Sequence, residues 1–288
     1  MNIIYLDNSA TTPIKSEVLQ EMMPYLTTEY GNASSLYSVG RSAKRAIEKA
    51  RNRVAELLNC NHNEIYFTGG GSESDNIALK GFAYANKEKG NHIITSKIEH
   101  PAILETCKTL ERQGFEVSYI NVKEDGIIDV EELRKSIKSN TILISVMTAN
   151  NEVGTIQPIE EIAKIAHDNN VVFHTDAVQA IGNVKIDVEK MRIDMLSLSS
   201  HKINGPKGVG ALYIKNGIEV EKFINGGHQE KDRRAGTENV AGIVGLGKAA
   251  EIVRKNMETH IRNLSKVRDY YIKKVQKEIP NIRINGSM

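Results

Sequence analysis

Little in this chain is extreme, and each shortage argues against a class of function. Only two cysteines occur among 288 residues, and they form no CxxC pair. That argues against a disulfide scaffold and a cysteine-held zinc, and it fits a reducing compartment, the cytoplasm. The eight histidines show no ligand-like pairing, so no metal centre is expected. Charge of one sign is scarce too, with 38 Lys and Arg against 36 Asp and Glu for a net +2. The basic residues are spread along helices such as 41–58, where Ala43, Ile47, Ala50, Val54 and Leu57 mark the inner face, so they read as a solvated side and no nucleic-acid partner is expected. No run is long and apolar enough to cross a membrane, and the N-terminus reads as a strand rather than a signal peptide. There is no internal repeat or low-complexity linker. Neither glycine-rich segment, 69–71 or 205–208, is followed by the lysine-serine or lysine-threonine pair of a nucleotide P-loop.

What is present is an α/β pattern. Hydrophobic residues make up 40%, enough for a full core at this length. Strand-like and helix-like stretches alternate from residue 64 to 215, which predicts a mostly parallel sheet wrapped by helices.

Several strand ends carry chemistry. Ile193–Leu198 reads as a buried strand that delivers Ser199, Ser200, His201 and Lys202 to a loop before Gly205-Pro206-Lys207-Gly208. Open α/β sheets place ligands at such ends. Partial burial and a second cation, His201 or Lys207, would depress the Lys202 pKa and free its amine for a Schiff base with pyridoxal phosphate. A solvated loop lysine is the competing reading. Upstream, the strand 171–175 ends at Asp176, with Gln179 a helical turn beyond. A carboxylate there needs a partner, which a pyridinium nitrogen would supply; an N-cap for a helix starting near Ala177 competes with this.

Thr68-Gly69-Gly70-Gly71-Ser72 follows the strand 64–67 and opens a helix, so its backbone amides would face an anion, although a plain strand-to-helix turn also explains it. Glu99-His100-Pro101 closes the strand 92–97 and could lay His100 flat over a bound ring, against a structural hydrogen-bonding role. Asn150-Asn151 follows the strand 142–147 and could touch the hydroxyl side of the same ring; a turn motif explains the pair nearly as well.

These segments, together with Tyr5–Pro13, His174–Gln179 and Arg234-Ala235-Gly236-Thr237, match in order a known family. The chain resembles a cysteine desulfurase of the nitrogenase and iron-sulfur-cluster type, within the class V aminotransferases of pyridoxal-phosphate fold type I. The resemblance implies a cofactor, pyridoxal 5'-phosphate, joined to Lys202, which would also move the substrate α-proton. It implies Asp176 on the pyridine nitrogen, Gln179 and Asn151 by the phenolic oxygen, and His100 on the ring face. Gly71, Ser72, Ser199 and His201 would hold the phosphate, with Thr237 reaching the neighbouring site of a homodimer, and Asn8 and Asn151 would lie near the substrate. The implied reaction turns L-cysteine into alanine and an enzyme persulfide for an iron-sulfur scaffold or other sulfur-acceptor protein.

The resemblance also sets an expectation about the C-terminal end. It places the sulfur-accepting cysteine and the arginine that grips the substrate carboxylate beyond residue 288, while Cys60 reads as a half-buried loop thiol and Cys107 as packing. This chain by itself is then expected not to complete persulfide formation. Apolar residues recur at helical spacing from 244 to 279, Pro280 ends the helix, and 281–285 could begin a strand. The expected division is an N-terminal segment 1–14, a large cofactor-binding domain 15–250, and the start of a truncated small domain 251–288 with an exposed apolar stripe. Two other readings remain: a selenocysteine lyase or aminotransferase-like enzyme of the same fold, and a non-catalytic fragment that binds cofactor or partner.

Overall fold

The computed structural model describes residues 4–287. Residues 1–3 and 288, the outermost parts of the expected first and last segments, lie outside the described residues. One seven-stranded sheet forms the centre: β1 (Ile65–Thr68), β2 (His92–Ser96), β3 (Glu116–Ile120), β4 (Thr141–Ser145), β5 (Val172–Asp176), β6 (Met195–Ser199) and β7 (Gly210–Ile214). Their spatial order is β1-β7-β6-β5-β4-β2-β3. Only β7 runs antiparallel to its neighbours. β2, β4, β6 and β7 are buried at every position, as expected for strands covered on both faces.

Helices cover both faces. On one side α1 (Ser16–Thr27), α2 (Ser38–Leu58) and α9 (Val240–Glu278) pack together. Gly247 lets the α9 backbone approach α2 so closely that a Cβ there would stand 2.6 Å from that of Ala50. Arg53 pairs with Glu251 at 2.8 Å and Glu56 with Arg254 at 2.9 Å, so the two helices run side by side in the same direction. α7 (Ile159–Asp168) adds Ile162, Ala163 and Ala166 to the same core. A second apolar cluster joins α5 (Pro101–Arg112), through Ile103, Cys107 and Leu110, to Ile93 and Leu143 of the sheet. The shorter helices are α3 (Gly71–Asn76), which passes through a π-helical turn (Ile77–Gly81) into α4 (Phe82–Ala85), and α6 (Val130–Ser136); α8 (Gln229–Asp232) is a single turn within a loop, with Glu230 and Lys231 left-handed rather than helical.

The mostly parallel sheet and the inner face of α2 match the pattern in the sequence, and Ala43, Ile47, Ala50, Val54 and Leu57 are all buried. Four details differ. Residues 4–15 form turns and extended chain rather than a strand, with Leu6 87% exposed. Residues 281–287 form no strand either. Arg51 is not on a solvated side of α2: it is 3% exposed and turned inward. No helix follows Asp176; residues 177–184 are turns. The C-terminal helix is continuous through residue 251, and its apolar stripe is bare at Leu264, Val267 and Tyr271. No described helix is long and apolar enough to cross a membrane.

Candidate active site

Parallel strands β4, β5 and β6 end side by side, and the chain leaving each one contributes to a cleft of about 550 Å³. Asp176 closes β5, Ser199 closes β6, and Asn151 lies on the turn after β4. Gly71 and Ser72 enter from the turn after β1, and His100 from the N-terminus of α5. Gln179, His201 and Lys202 complete the sequence-predicted set that the fold gathers there.

The glycine turn has a local cause. Gly70 adopts φ +152, in the region that favours glycine, and Gly71 lies where a Cβ would come within 2.6 Å of Val178. Thr68 and Ser74 close the turn with a 2.8 Å bond between their hydroxyls. The first amides of α3 have no intrahelical acceptor and stand at the rim of the cleft.

Lys202 sits at the end of a short 3-10 turn (Ser200–Lys202) directly after β6. Its Nζ donates to the carbonyls of Ser9 and Ala10, the latter at 3.2 Å. The N-terminal segment therefore covers the lysine with backbone oxygens, fastened by Thr12, whose hydroxyl donates to the His201 carbonyl at 2.8 Å. Burial pushes the Lys202 ammonium below the usual lysine range, against the pull of Asp176 and Asp7. The second cation expected to act on it does not: Lys207 instead acts with burial and Lys202 to lower the His201 imidazole.

Asp176 is 5% exposed and its Oδ1 accepts the Val178 amide at 2.8 Å, an Asx turn rather than the competing N-cap. Burial raises its pKa, while that bond and the nearby His100 and Lys202 oppose the rise. No side-chain cation bonds it directly among the described residues. His100 caps α5 through Nδ1, which accepts the Ala102 amide at 3.1 Å; that bond assigns the proton to Nε2. Asn151 donates to Glu152 at 2.7 Å.

Several residues in or next to the cleft were given no role by the sequence. Asp75 is 1% exposed with Oδ1 unpartnered, and burial together with the Asp176 charge holds its pKa well above the usual range. Glu99 is pushed up to about 8 by burial, although Ser96 and the Met147 amide donate to it. His174 bridges Ser145 at 2.9 Å and Ser197 at 3.1 Å, and burial lowers it to about 3. Asp7 and Ser9 line the cleft, whereas Asn8 between them does not. Thr237 is also outside it, exposed beside a separate cavity with Arg234 and Glu230.

The donor set fits pyridoxal phosphate: a half-buried amine, a buried carboxylate with no bonded cation, an unpartnered Gln179 Oε1, and helix-start amides for an anion. One oxygen or ring nitrogen from each of Asp75, His100 and Asp176 lies within 4.8 Å of the other two, the one such trio of His, Cys or acidic residues among the described residues. Neither thiol reaches the cleft. Cys60 is half-buried and Cys107 fully buried, and burial pushes both up to about 12.

Comparison with known proteins agrees with the geometry. The aminotransferase class-V family pattern matches residues 4–288. A cysteine desulfurase IscS of Clostridium botulinum is 56% identical over 283 residues, 98% of this chain and 71% of that protein. One from Methanosarcina thermophila is also 56% identical, over 98% and 70%. Among solved structures, a NifS-like protein superposes with a TM-score of 0.93 at 41% identity, covering 95% of this chain and 76% of the other. SspA in complex with cysteine gives 0.84 at 44%, over 86% and 72%. The sheet order, the strand-end cleft and these matches together place the chain in the aminotransferase class-V family, among proteins of the cysteine desulfurase type.

Proposed function

We propose that this chain carries the cofactor site of a pyridoxal-phosphate-dependent cysteine desulfurase, which takes sulfur from L-cysteine and leaves alanine. The observation that carries the reading is the pairing of neighbouring strand ends: Lys202 follows β6 and Asp176 ends β5 on the same cleft. When bound, pyridoxal phosphate supplies an electron sink for the bonds at the substrate α-carbon.

The chain's own groups divide the remaining work. Lys202 would hold the cofactor covalently and, once displaced by substrate, move the α-proton; its lowered pKa keeps more of the amine free near neutral pH. Asp176 would accept a hydrogen bond from the protonated ring nitrogen, which supplies the cation its buried carboxylate lacks. His100 would cover the ring, with Gln179 and Asn151 beside its hydroxyl. Gly71, Ser72, Ser199 and His201 would hold the phosphate and Asn151 the substrate, with Asn8 near it on the segment whose neighbours Asp7 and Ser9 line the cleft. Sulfur transfer needs a thiolate at the substrate, and neither Cys60 nor Cys107 lines the cleft, while burial pushes both thiols up, so neither is placed as the acceptor.

The homodimer is part of the same proposal. Thr237 is exposed and lies outside its own chain's cleft, as required of a residue given to a neighbouring site. A scaffold or other sulfur-acceptor protein would receive the sulfur for iron-sulfur clusters. Two unpaired thiols suit the reducing cytoplasm.

The test is peptide mass spectrometry after incubation with pyridoxal phosphate and borohydride. A pyridoxyl adduct on Lys202 is expected; an adduct only on other lysines, or none, overturns the reading. Release of sulfide and selenide from cysteine and selenocysteine then separates desulfurase from selenocysteine lyase, with faster turnover of selenocysteine favouring the second.

A further inference from the structure

The loop 226–237 holds three consecutive non-glycine residues in the left-handed region: Glu230 at φ 46, Lys231 at φ 55 and Asp232 at φ 67. Such a run persists only where contacts hold it. Several ties hold the loop, among them Lys231 to the Asn63 carbonyl at 3.0 Å, and two of them end on the backbone that leads into the glycine turn. In the first, the buried Glu230 carboxylate accepts the Phe67 amide at 2.7 Å and is gripped by Arg51. In the second, Glu73 Oε2 accepts the Gly69 amide at 3.0 Å, and Arg234 donates to both oxygens of Glu73, at 2.8 and 3.3 Å.

The second tie poses an electrostatic problem. Glu73 is needed as the acceptor that fixes Gly69, yet it sits in the first turn of the helix whose opening amides would meet a phosphate dianion. An uncompensated carboxylate there repels that anion. Arg234 neutralises it: neither residue lines the main cleft, but Glu73 lines the cavity beside it that Gly71, Ser72, Ser199 and His201 share, and Arg234 lies outside both.

We propose that Glu73 and Arg234 are positioning residues for the phosphate: Glu73 fixes the glycine turn, and Arg234 cancels its charge and locks the loop 226–237 onto it. The inference rests on the pyridoxal-phosphate reading above. Neither side chain needs to touch the cofactor.

Titration of the protein with pyridoxal phosphate and with pyridoxal, which lacks the phosphate, tests it without measuring activity. Glu73→Ala and Arg234→Ala should each weaken pyridoxal phosphate about tenfold while changing pyridoxal less than twofold. Glu73→Gln, which keeps an acceptor for Gly69, should recover part of the loss and serves if the alanine variant does not fold. Removing both side chains should cost less than the product of the single losses, because Arg234 acts through Glu73. Equal losses for the two ligands, or unchanged affinities, overturn the proposal. So does a loss confined to Arg234→Ala, which would mean direct contact between arginine and phosphate. A wild-type protein that binds neither ligand overturns the cofactor reading and this inference together; one that binds both equally well overturns this inference alone.

Discussion

Arg51 and Glu230 meet in a two-pronged ion pair of 2.7 and 2.8 Å, joining the middle of α2 to a loop 179 residues away, with neither side chain more than 4% exposed. The guanidinium also donates to the Ile65 carbonyl at 2.8 Å and stacks 4.7 Å from the Phe67 ring centre. Breaking one side of a buried pair strands the other charge in a dry interior. Arg51→Ala is therefore expected to cost about 3–5 kcal/mol in denaturant unfolding, and the double variant with Glu230→Gln less than the sum of the single changes.

Stability should peak in mildly acidic to neutral solution for two opposed reasons. Glu99 is raised from 4.5 to about 8 in the fold, so the folded state keeps its proton after the unfolded chain has lost it. Its contribution is fully present below about pH 4.5 and is lost as pH rises towards 8. His174 is lowered from 6.5 to about 3, so its contribution is present above 6.5 and lost as pH falls towards 3. Each slope is at most about 1.4 kcal/mol per pH unit. Glu99→Gln should flatten the alkaline side of a melting-temperature profile and His174→Gln the acid side; a profile with unchanged slopes refutes the assignment.

Substitutions at the strand ends should separate attachment from affinity. Lys202→Ala is expected to abolish the borohydride-trapped adduct while shifting the melting temperature by only a few degrees, because the lysine is half-exposed and makes no core contact. Asp176→Asn should retain the adduct but weaken cofactor binding by about 10- to 100-fold, the loss expected for a charge-assisted hydrogen bond, read from the visible absorption titration.

Both thiols should be slow to alkylate. A pKa near 12 in place of 9 lowers the thiolate fraction about a thousandfold, and burial blocks the reagent as well. Iodoacetamide at pH 8 should label Cys60 and Cys107 rapidly only after denaturation. A native chain whose cysteines label as fast as free cysteine would show that the helix end at Cys60 or the α5 face at Cys107 opens in solution.

The parts of this fold that sequence made legible are those where one residue type carries one meaning. Runs such as Thr141–Ser145 have only buried positions, and a polar residue directly after such a run, as at Lys202, marks a strand end. What stayed hidden depends on long-range contact. Tyr5 and Leu6 look like the start of a strand, but no sheet edge is offered to them, and the segment covers Lys202 with carbonyls that any sequence possesses. Asp75 lies in a polar stretch that reads as a surface helix, and only the packing of α3 against β6 and β7 buries it. Arg51 belongs to a helix rich in basic residues; its spacing, four after Ile47 and three before Val54, puts it beside the inner face, but nothing in the sequence names the distant Glu230 as the partner that lets it turn inward.

The long α9 is anchored unevenly. Its buried residues all lie between Ala241 and Ala250, and the part beyond carries only half-buried and exposed positions. From Glu251 to Glu278 the helix spans about 42 Å. Its root is held where Gly247 meets Ala50 and by the pairs of Glu251 and Arg254 with α2, and the chain beyond its far end returns to the body, where the Ser287 amide donates to Thr155 Oγ1 at 3.1 Å. A span held at both ends is a strut, so the exposed Leu264, Val267 and Tyr271 lie between two tethers, one at α2 and one at the turn after β4.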